Sequence, residues 1–261
     1  MLSGYRTDRN GGSAMGLFSY EQLKGMNPGE FRVYNFIASH LNTAYEMNIR
    51  QLAGEVGVST TTVLRFCEKV GCSGYTELKY RLRQAAGAQS KDGNFDVVPA
   101  VQYINSSADD PAFVEKLFQA AELCANADQI ILSGDGGSGM LIRYGAYLFN
   151  SIGKAAFLAE RGCKAVCPGG ETRTAVLILS SQGDSEEIIS GMNSYKKAGA
   201  ALISITNAEQ CPAAQISDIN FPCYMPEVSR DFGNGEMEPV SQIPTVYLLE
   251  KLTARIQKFL N

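Results

Sequence analysis

The chain has 261 residues, 45% of them hydrophobic and 19% charged, with a formal net charge of −4 at pH 7. That length suffices for one large core or two modest ones. The acidic balance excludes a generally basic nucleic-acid coat, and no apolar run approaches the roughly 20 residues that span a bilayer.

The first 14 residues have no apolar period and lack the basic-then-apolar layout of a secretion signal, so they read as a disordered leader or cloning remnant ahead of Met15. Residues 15–88 read as all helix. "NPGEFRVYNFIASHL" carries Phe31, Tyr34, Ile37, Ala38 and Leu41 at helical spacing, with Asn27 and Pro28 as start signals. "NIRQLAGEV" puts Ile49, Leu52, Ala53 and Val56 on one face. "TTTVLRFCEKV" turns Val63, Phe66 and Val70 inward, and "TELKYRLRQAA" follows the "GCSGY" interruption. Small and polar residues without a period begin at "AAGAQSKDGNFD", and residues 89–110 are taken as a linker. Beyond them, in residues 111–261, short apolar runs alternate with helical stretches. "QIILS", "AAFLA", "AVLILS", "ALISIT" and "INFPCY" predict a five-stranded parallel sheet covered by helices on both faces, a flavodoxin-like or Rossmann-like α/β domain that closes with a helix over residues 239–260.

Charge divides along the same line. Through Ser90 ten Lys/Arg face seven Asp/Glu, and from Lys91 onward thirteen face twenty, so the two parts are expected to meet different partners. The seven cysteines, Cys67, Cys72, Cys124, Cys163, Cys167, Cys211 and Cys223, form no C-x-x-C pair, and His40 is the only histidine. No metal site or cofactor is expected, and the thiols suit a reducing cytoplasm.

In "IRQLAGEVGVSTTTVLRF", Ala53 is small where two helices would cross, Gly57 can take the positive φ of a tight turn, and Ser59 can cap the next helix. This is the layout of a helix-turn-helix, whose second helix enters the major groove. Ser59, Thr60, Thr61, Thr62, Arg65 and Lys69 are the candidate DNA contacts: hydroxyls for phosphate or base edges, Arg65 for phosphate or guanine, Lys69 for phosphate. Lys79, Arg81 and Arg83 could add phosphate contacts. The plain alternative is a helical bundle with a charged surface. The longer run "LAGEVGVSTTTVLRFCEKVGCSGYTELKYRL" resembles the N-terminal domain of the RpiR family of bacterial transcription regulators, through Leu52, Ala53, Gly57, Val58, Ser59, Thr62, Val63, Arg65, Phe66, Gly71, Gly74, Tyr75, Leu78 and Lys79. Thr61 stands where the family often has alanine. The resemblance implies operator DNA as a partner.

Two strand-to-helix loops carry the second candidate site. "AVLILSSQGDSEE" leads from a buried strand through Ser180, Ser181, Gln182, Gly183 and Ser185 into an acidic first turn, and "IILSGDGGSG" places Gly134, Gly136, Gly137 and Ser138 after another strand. Ligands of open parallel sheets bind beyond the carboxyl ends of the strands, where backbone N–H groups and helix dipoles favour anions. The alternative is that both loops are ordinary turns with caps. The segment over residues 113–260 resembles the SIS (sugar isomerase) domain, which binds phosphosugars: Gly134, Gly136 and Ser138 match its first loop, and Ser180, Gly183, Ser185 and Glu187 its second. Gln182 replaces a serine that usually helps to hold phosphate. The resemblance implies a phosphosugar effector surrounded by Gly136, Ser138, Ser180, Ser181, Gln182, Gly183, Ser185 and Glu187.

The chain thus reads as a ligand-responsive regulator acting as a dimer or tetramer, with no membrane partner and no catalytic residues. Two alternatives stand beside it: a phosphosugar isomerase, for which only a Glu or Asp could act as base, with Glu187 and Glu227 as candidates, and an oligomerising scaffold with no ligand. Arg161 is a possible extra ligand contact, and Cys163 and Cys167 a possible oxidation sensor.

Overall fold

In the computed structural model the described residues are 17–88, 97–159, 172–225 and 240–260. The first part is helical: α1 (Tyr20–Leu23), α2 (Pro28–Ser39), α3 (Leu41–Ala44), α4 (Ile49–Val56), α5 (Thr60–Lys69) and α6 (Tyr75–Ala88). Local chemistry fixes where these helices start. Asn27 accepts from the Glu30 N–H while the Glu30 carboxylate accepts from the Asn27 N–H, and Pro28 supplies a pre-set φ in the first turn. Asn48 and Gln51 form the same reciprocal box on α4. Their apolar faces meet in a core that holds Val33, Tyr34, Ile37, Leu52, Val63, Phe66, Leu78 and Leu82 with no exposed surface.

Helices α7 (Val98–Asp109) and α8 (Pro111–Asn126) follow. The expected linker over residues 89–110 is corrected here, because its second part is a packed helix. Ala100 and Tyr103 are buried, and α7 packs against α1, α8 and α13 (Ile243–Leu260). The polar composition of "AAGAQSKDGNFD" ends at Asp96 and does not extend into "VPAVQYINSSAD". The closing helix begins at Ile243, inside the expected range.

The sheet comprises β1 (Gln129–Gly134), β2 (Ala156–Leu158), β3 (Thr174–Leu179), β4 (Ala201–Thr206) and β5 (Ile219–Pro222), all parallel, in the order β2-β1-β3-β4-β5. This is the doubly wound, flavodoxin-like order, with its switch point between β1 and β3. Every residue of β3 is buried, as a central strand covered on both faces requires. One face, with Ile130, Leu132, Leu177, Leu179 and Ile203, joins the core shared by α8, α10 (Ile142–Ser151) and α13. The other, with Ile131, Val176, Ile178 and Leu202, packs on Ile188, Met192 and Tyr195 of α11 (Glu186–Lys197) and on Ala213 of α12 (Pro212–Ile216).

The two parts share one core. Aromatic rings run without a break from the helical part to the sheet edge: Phe66 to Phe18 (5.5 Å between centroids), Phe18 to Tyr34 (6.0 Å), Tyr34 to Phe31 (5.5 Å), Phe31 to Tyr224 (6.0 Å), Tyr224 to Tyr20 (5.7 Å), Tyr20 to Tyr103 (5.5 Å), Tyr103 to Phe113 (6.4 Å) and Phe113 to Phe221 (5.7 Å). Most of these pairs are edge-to-face, the arrangement that ring quadrupoles favour. Lys24 at the end of α1 adds an ion pair of 2.6 Å to Asp110, which also caps α8 by accepting from the Ala112 N–H.

Candidate functional site

The first candidate surface is built on α4 and α5. Gly57 closes α4 in the left-handed region (φ 69°), where a Cβ would be strained. The Val58 N–H returns to the Ala53 carbonyl (2.9 Å), and Ser59 opens α5 by accepting from the Thr62 N–H (3.1 Å). Val63, Phe66 and Cys67 anchor α5 with no exposed surface. The opposite face is presented outward: Ser59, Thr60, Thr61, Leu64, Arg65 and Glu68 are exposed.

The six expected DNA contacts therefore divide. Thr60, Thr61 and Arg65 are exposed on the outward face, while Ser59, also exposed, is engaged in capping the helix. Thr62 is half-buried and bonded to Ser59 (2.9 Å between hydroxyls), so it shapes the turn. Lys69 is turned back on the domain. Its ammonium bonds the Gly25 carbonyl and, at 3.2 Å, the buried carboxylate of Glu30. Lys79 donates to the Glu46 carbonyl (3.1 Å), and Arg81 holds the Gly71 carbonyl (2.9 Å) and Glu77. Two backbone and side-chain bonds from Ser73, together with Arg81, pull the Glu77 carboxyl down to about 2. Leu64, an exposed apolar residue on this outward face, was not among the expected contacts.

The second candidate surface lies at the switch point. The loop after β1 enters α9 (Gly136–Gly139), and the loop after β3 enters α11. Ser138 and Ser181 meet between them: the Ser181 N–H donates to the Ser138 hydroxyl (3.2 Å), and the two hydroxyls lie 3.4 Å apart. Gln242, at the entrance to α13, brings its amide to the Ser181 hydroxyl (3.3 Å) and is itself held by Thr245 (3.2 Å). Nothing near Gln242 in sequence marked it; the only signal is a polar residue directly before the long apolar helix.

The close meeting of the two loops depends on glycines. A Cβ on Gly134 would stand 2.7 Å from the Leu179 carbonyl oxygen and 3.0 Å from the Gly139 Cα, and one on Gly139 would stand 2.9 Å from the Gly134 carbonyl. Gly183 sits at φ 68° with the Cys211 sulfur 2.5 Å from where its Cβ would be. Ser180 is fully buried, and its hydroxyl accepts from the Gly183 N–H (3.1 Å), which holds the loop closed. Gly136 and Gln182 are exposed at the rim, and Ser185 is half-buried. Glu187 is exposed in the first turn of α11, where Glu186 and Glu187 oppose the helix dipole and Lys196 and Lys197 complement its other end. The groups brought together here are the Ser138 and Ser181 hydroxyls and the Gln242 carboxamide; the Ser138 hydroxyl also donates to the Asp135 carbonyl (3.2 Å), and Asp135 and Asp184 lie on the same two loops.

Arg161, Cys163, Cys167 and Glu227 lie outside the described residues. The five described cysteines are buried and unpaired, and burial raises Cys67, Cys124 and Cys223 to about 12, which keeps them as inert thiols at neutral pH.

Comparison with known proteins agrees with this division. A family model described as a helix-turn-helix domain of the rpiR family matches residues 20–89, and one described as the SIS domain matches residues 123–247. The chain thus carries a helix-turn-helix domain of the rpiR type followed by a SIS domain. Among its relatives, an uncharacterized HTH-type transcriptional regulator of Caldanaerobacter subterraneus is 27% identical over 252 residues, 90% of this chain and 88% of the relative. The uncharacterized HTH-type transcriptional regulator YbbH of Bacillus subtilis is 24% identical over 213 residues, 76% of this chain and 74% of the relative. Among solved structures, the Vibrio vulnificus NanR protein complexed with ManNAc-6P superposes with a TM-score of 0.52 at 21% identity, covering 91% of this chain and 89% of that one, which establishes a common fold. Among the described residues no helix is long and apolar enough to cross a membrane.

Proposed function

We propose that this protein regulates transcription by binding operator DNA through α5 and by responding to a phosphosugar held between the loops after β1 and β3. The observation that carries the ligand half is the meeting of Ser138, Ser181 and Gln242 at the switch point, with the starts of α9 and α11 beside them. A phosphate needs several converging donors, and a sugar ring offers hydroxyls that both donate and accept, which suits a crevice of hydroxyls and amides. In this reading Ser138, Ser181 and Gln182 face the ligand and Gly136 lets the chain approach it. Ser180 and Gly183 shape the loop, and Ser185 and Glu187 stand at its rim.

The DNA half rests on the exposed Thr60, Thr61 and Arg65, with Ser59 and Thr62 fixing the turn and Lys69 fixing the helix. Paired half-sites imply a dimer or tetramer in the cytoplasm. The relatives' names, regulators rather than enzymes, favour the regulatory reading over an isomerase. The Vibrio protein's complex with ManNAc-6P makes N-acetylmannosamine 6-phosphate the first compound to try.

The test is a thermal-shift screen with hexose, pentose and amino-sugar phosphates, against free phosphate and the unphosphorylated sugars. A ligand at a hundredfold excess over its Kd stabilises the native state by about 2.7 kcal/mol. Ser138→Ala is expected to abolish a shift seen with the wild type while leaving operator affinity intact. A flat screen across the panel overturns the ligand half.

A further inference from the structure

Asn207, directly after β4, bridges the crevice loop and the segment that packs on the helical part. Its N–H donates to the carbonyl of Ser181 in the crevice loop (2.8 Å), and its carbonyl accepts from the Tyr224 N–H (3.0 Å). Its side chain closes a two-bond ring on the next residue: the Met225 N–H donates to Oδ1 and Nδ2 donates to the Met225 carbonyl, both at 2.6 Å. Asn207 is 5% exposed, so these are dry bonds whose loss is not made good by water.

What Asn207 holds is unusual. Tyr224 is the one non-glycine among the described residues with a positive φ, at 54°, a conformation that a bulky residue keeps only where its surroundings dictate it. Its ring is 1% exposed and wedged against Tyr20 and Phe31 of the helical part. Its hydroxyl donates to Glu209 (3.1 Å) and receives a long bond from the Gly25 N–H (3.5 Å). Gly25 in turn accepts from Lys69 at the end of α5. A continuous set of contacts thus leads from Ser181 to Asn207, to the strained Tyr224, to Gly25 and Phe31, and to the base of α5.

We propose that Asn207 is the positioning residue that passes occupancy of the crevice to the DNA-binding helices by setting the backbone of Tyr224. This deepens the function proposed above and rests on it. A ligand that draws the Ser181 loop inward moves the carbonyl that anchors the Asn207 N–H. Asn207 is bonded on both sides of Tyr224, so the displacement reaches the aromatic wedge and is not absorbed in a loose loop. Contiguity alone does not establish coupling; a coupling free energy between the two ends does.

The experiment follows hydrogen exchange at amides 180–183 and 25–34 in full-length wild type and Asn207→Ala, each with N-acetylmannosamine 6-phosphate and with inorganic phosphate. In the wild type, binding should slow exchange several-fold in both windows. In Asn207→Ala the first window should still respond and the second should not. A response of both windows in Asn207→Ala overturns the proposal, whatever the fate of the ligand reading. Should neither compound act on the wild type, the ligand reading fails for them, and the coupling is read without ligand. Gly183→Ala strains the crevice loop directly, and Ser180→Ala, which removes the acceptor for the Gly183 N–H, is the milder form. Either should speed exchange at 25–34 in the wild-type background and leave it unchanged in the Asn207→Ala background. Equal effects in both backgrounds sink the proposal.

Discussion

Replacing Gly134 with alanine tests whether the glycines after β1 serve the packing of the loop or only the approach of a ligand. The new Cβ would stand 2.7 Å from the Leu179 carbonyl oxygen, 3.0 Å from the Gly139 Cα and 3.0 Å from the Ile142 Cγ2. Two of these three neighbours are backbone, on a central strand and at the end of α9, and cannot swing aside as a side-chain tip would. Forcing a methyl into such a site costs about 1–3 kcal/mol. With an unfolding entropy of about 2.1 cal/mol/K per residue, a chain of this length should lose about 2–6 °C in Tm. Gly137→Ala is the control. Its Cβ meets only the Gln242 Nε2, at 4.0 Å, and its helical position favours alanine, so its Tm should stay within about 1 °C of the wild type or rise slightly. Calorimetry in the absence of any sugar phosphate decides the matter. A Gly134→Ala protein that melts with the wild type refutes the packing role, and the glycine would then matter only to a bound ligand.

Three further outcomes are expected. Arg65→Ala should weaken operator binding about 5- to 150-fold if the guanidinium reads guanine, while a phosphate role would instead lower the salt slope by about one and affect all sequences alike; anisotropy titrations at several salt concentrations separate the two. Lys69→Met should act on stability: it leaves the Glu30 carboxylate without its cation, at a cost of about 1–2 kcal/mol given the partial exposure of the lysine, with an unchanged salt slope for DNA. Acid should loosen the junction between the two parts. Lys24 holds the Asp110 carboxyl below its ordinary 3.8, so this contribution is whole above about pH 4 and is lost as the pH falls through the depressed value. Asp110→Asn keeps a good cap on α8 but should remove that step, worth at most about 1 kcal/mol, from the acid-unfolding profile.

Much of the fold was legible because its signals are local. Capping residues, the 3.6-residue period and the alternation of apolar runs with helical stretches located α2, α4, α5, α6 and all five strands. The Gly57–Val58–Ser59 turn could be read from conformational preference alone. The shared core could not. Tyr20 lies ahead of the first helix expected from periodicity, Tyr103 lies in a stretch taken as linker, and Tyr224 ends the run read as the last strand, which stops at Pro222. Each has a period only in three dimensions. At the crevice, serines and glycines at a strand's end could be found in sequence, but Gln242 and Asn207 could not. A carboxamide's partners are set by where the chain returns, and Asn207 follows a strand whose ending looks like any other.

The single aromatic core changes what regulation must mean in this chain. A helix-turn-helix domain on a loose tether would move independently of the sheet, and a change at the crevice would be lost in the tether's freedom. Here Tyr20, Phe31 and Tyr224 pack ring against ring, and Lys24 closes on Asp110 beside them. Packed interiors of this kind are stiff and transmit displacement. The position of α5 relative to the ends of β3 and β4 is then a property of the folded chain, and within one subunit the crevice and the surface of α5 are joined by packed side chains rather than by a linker alone.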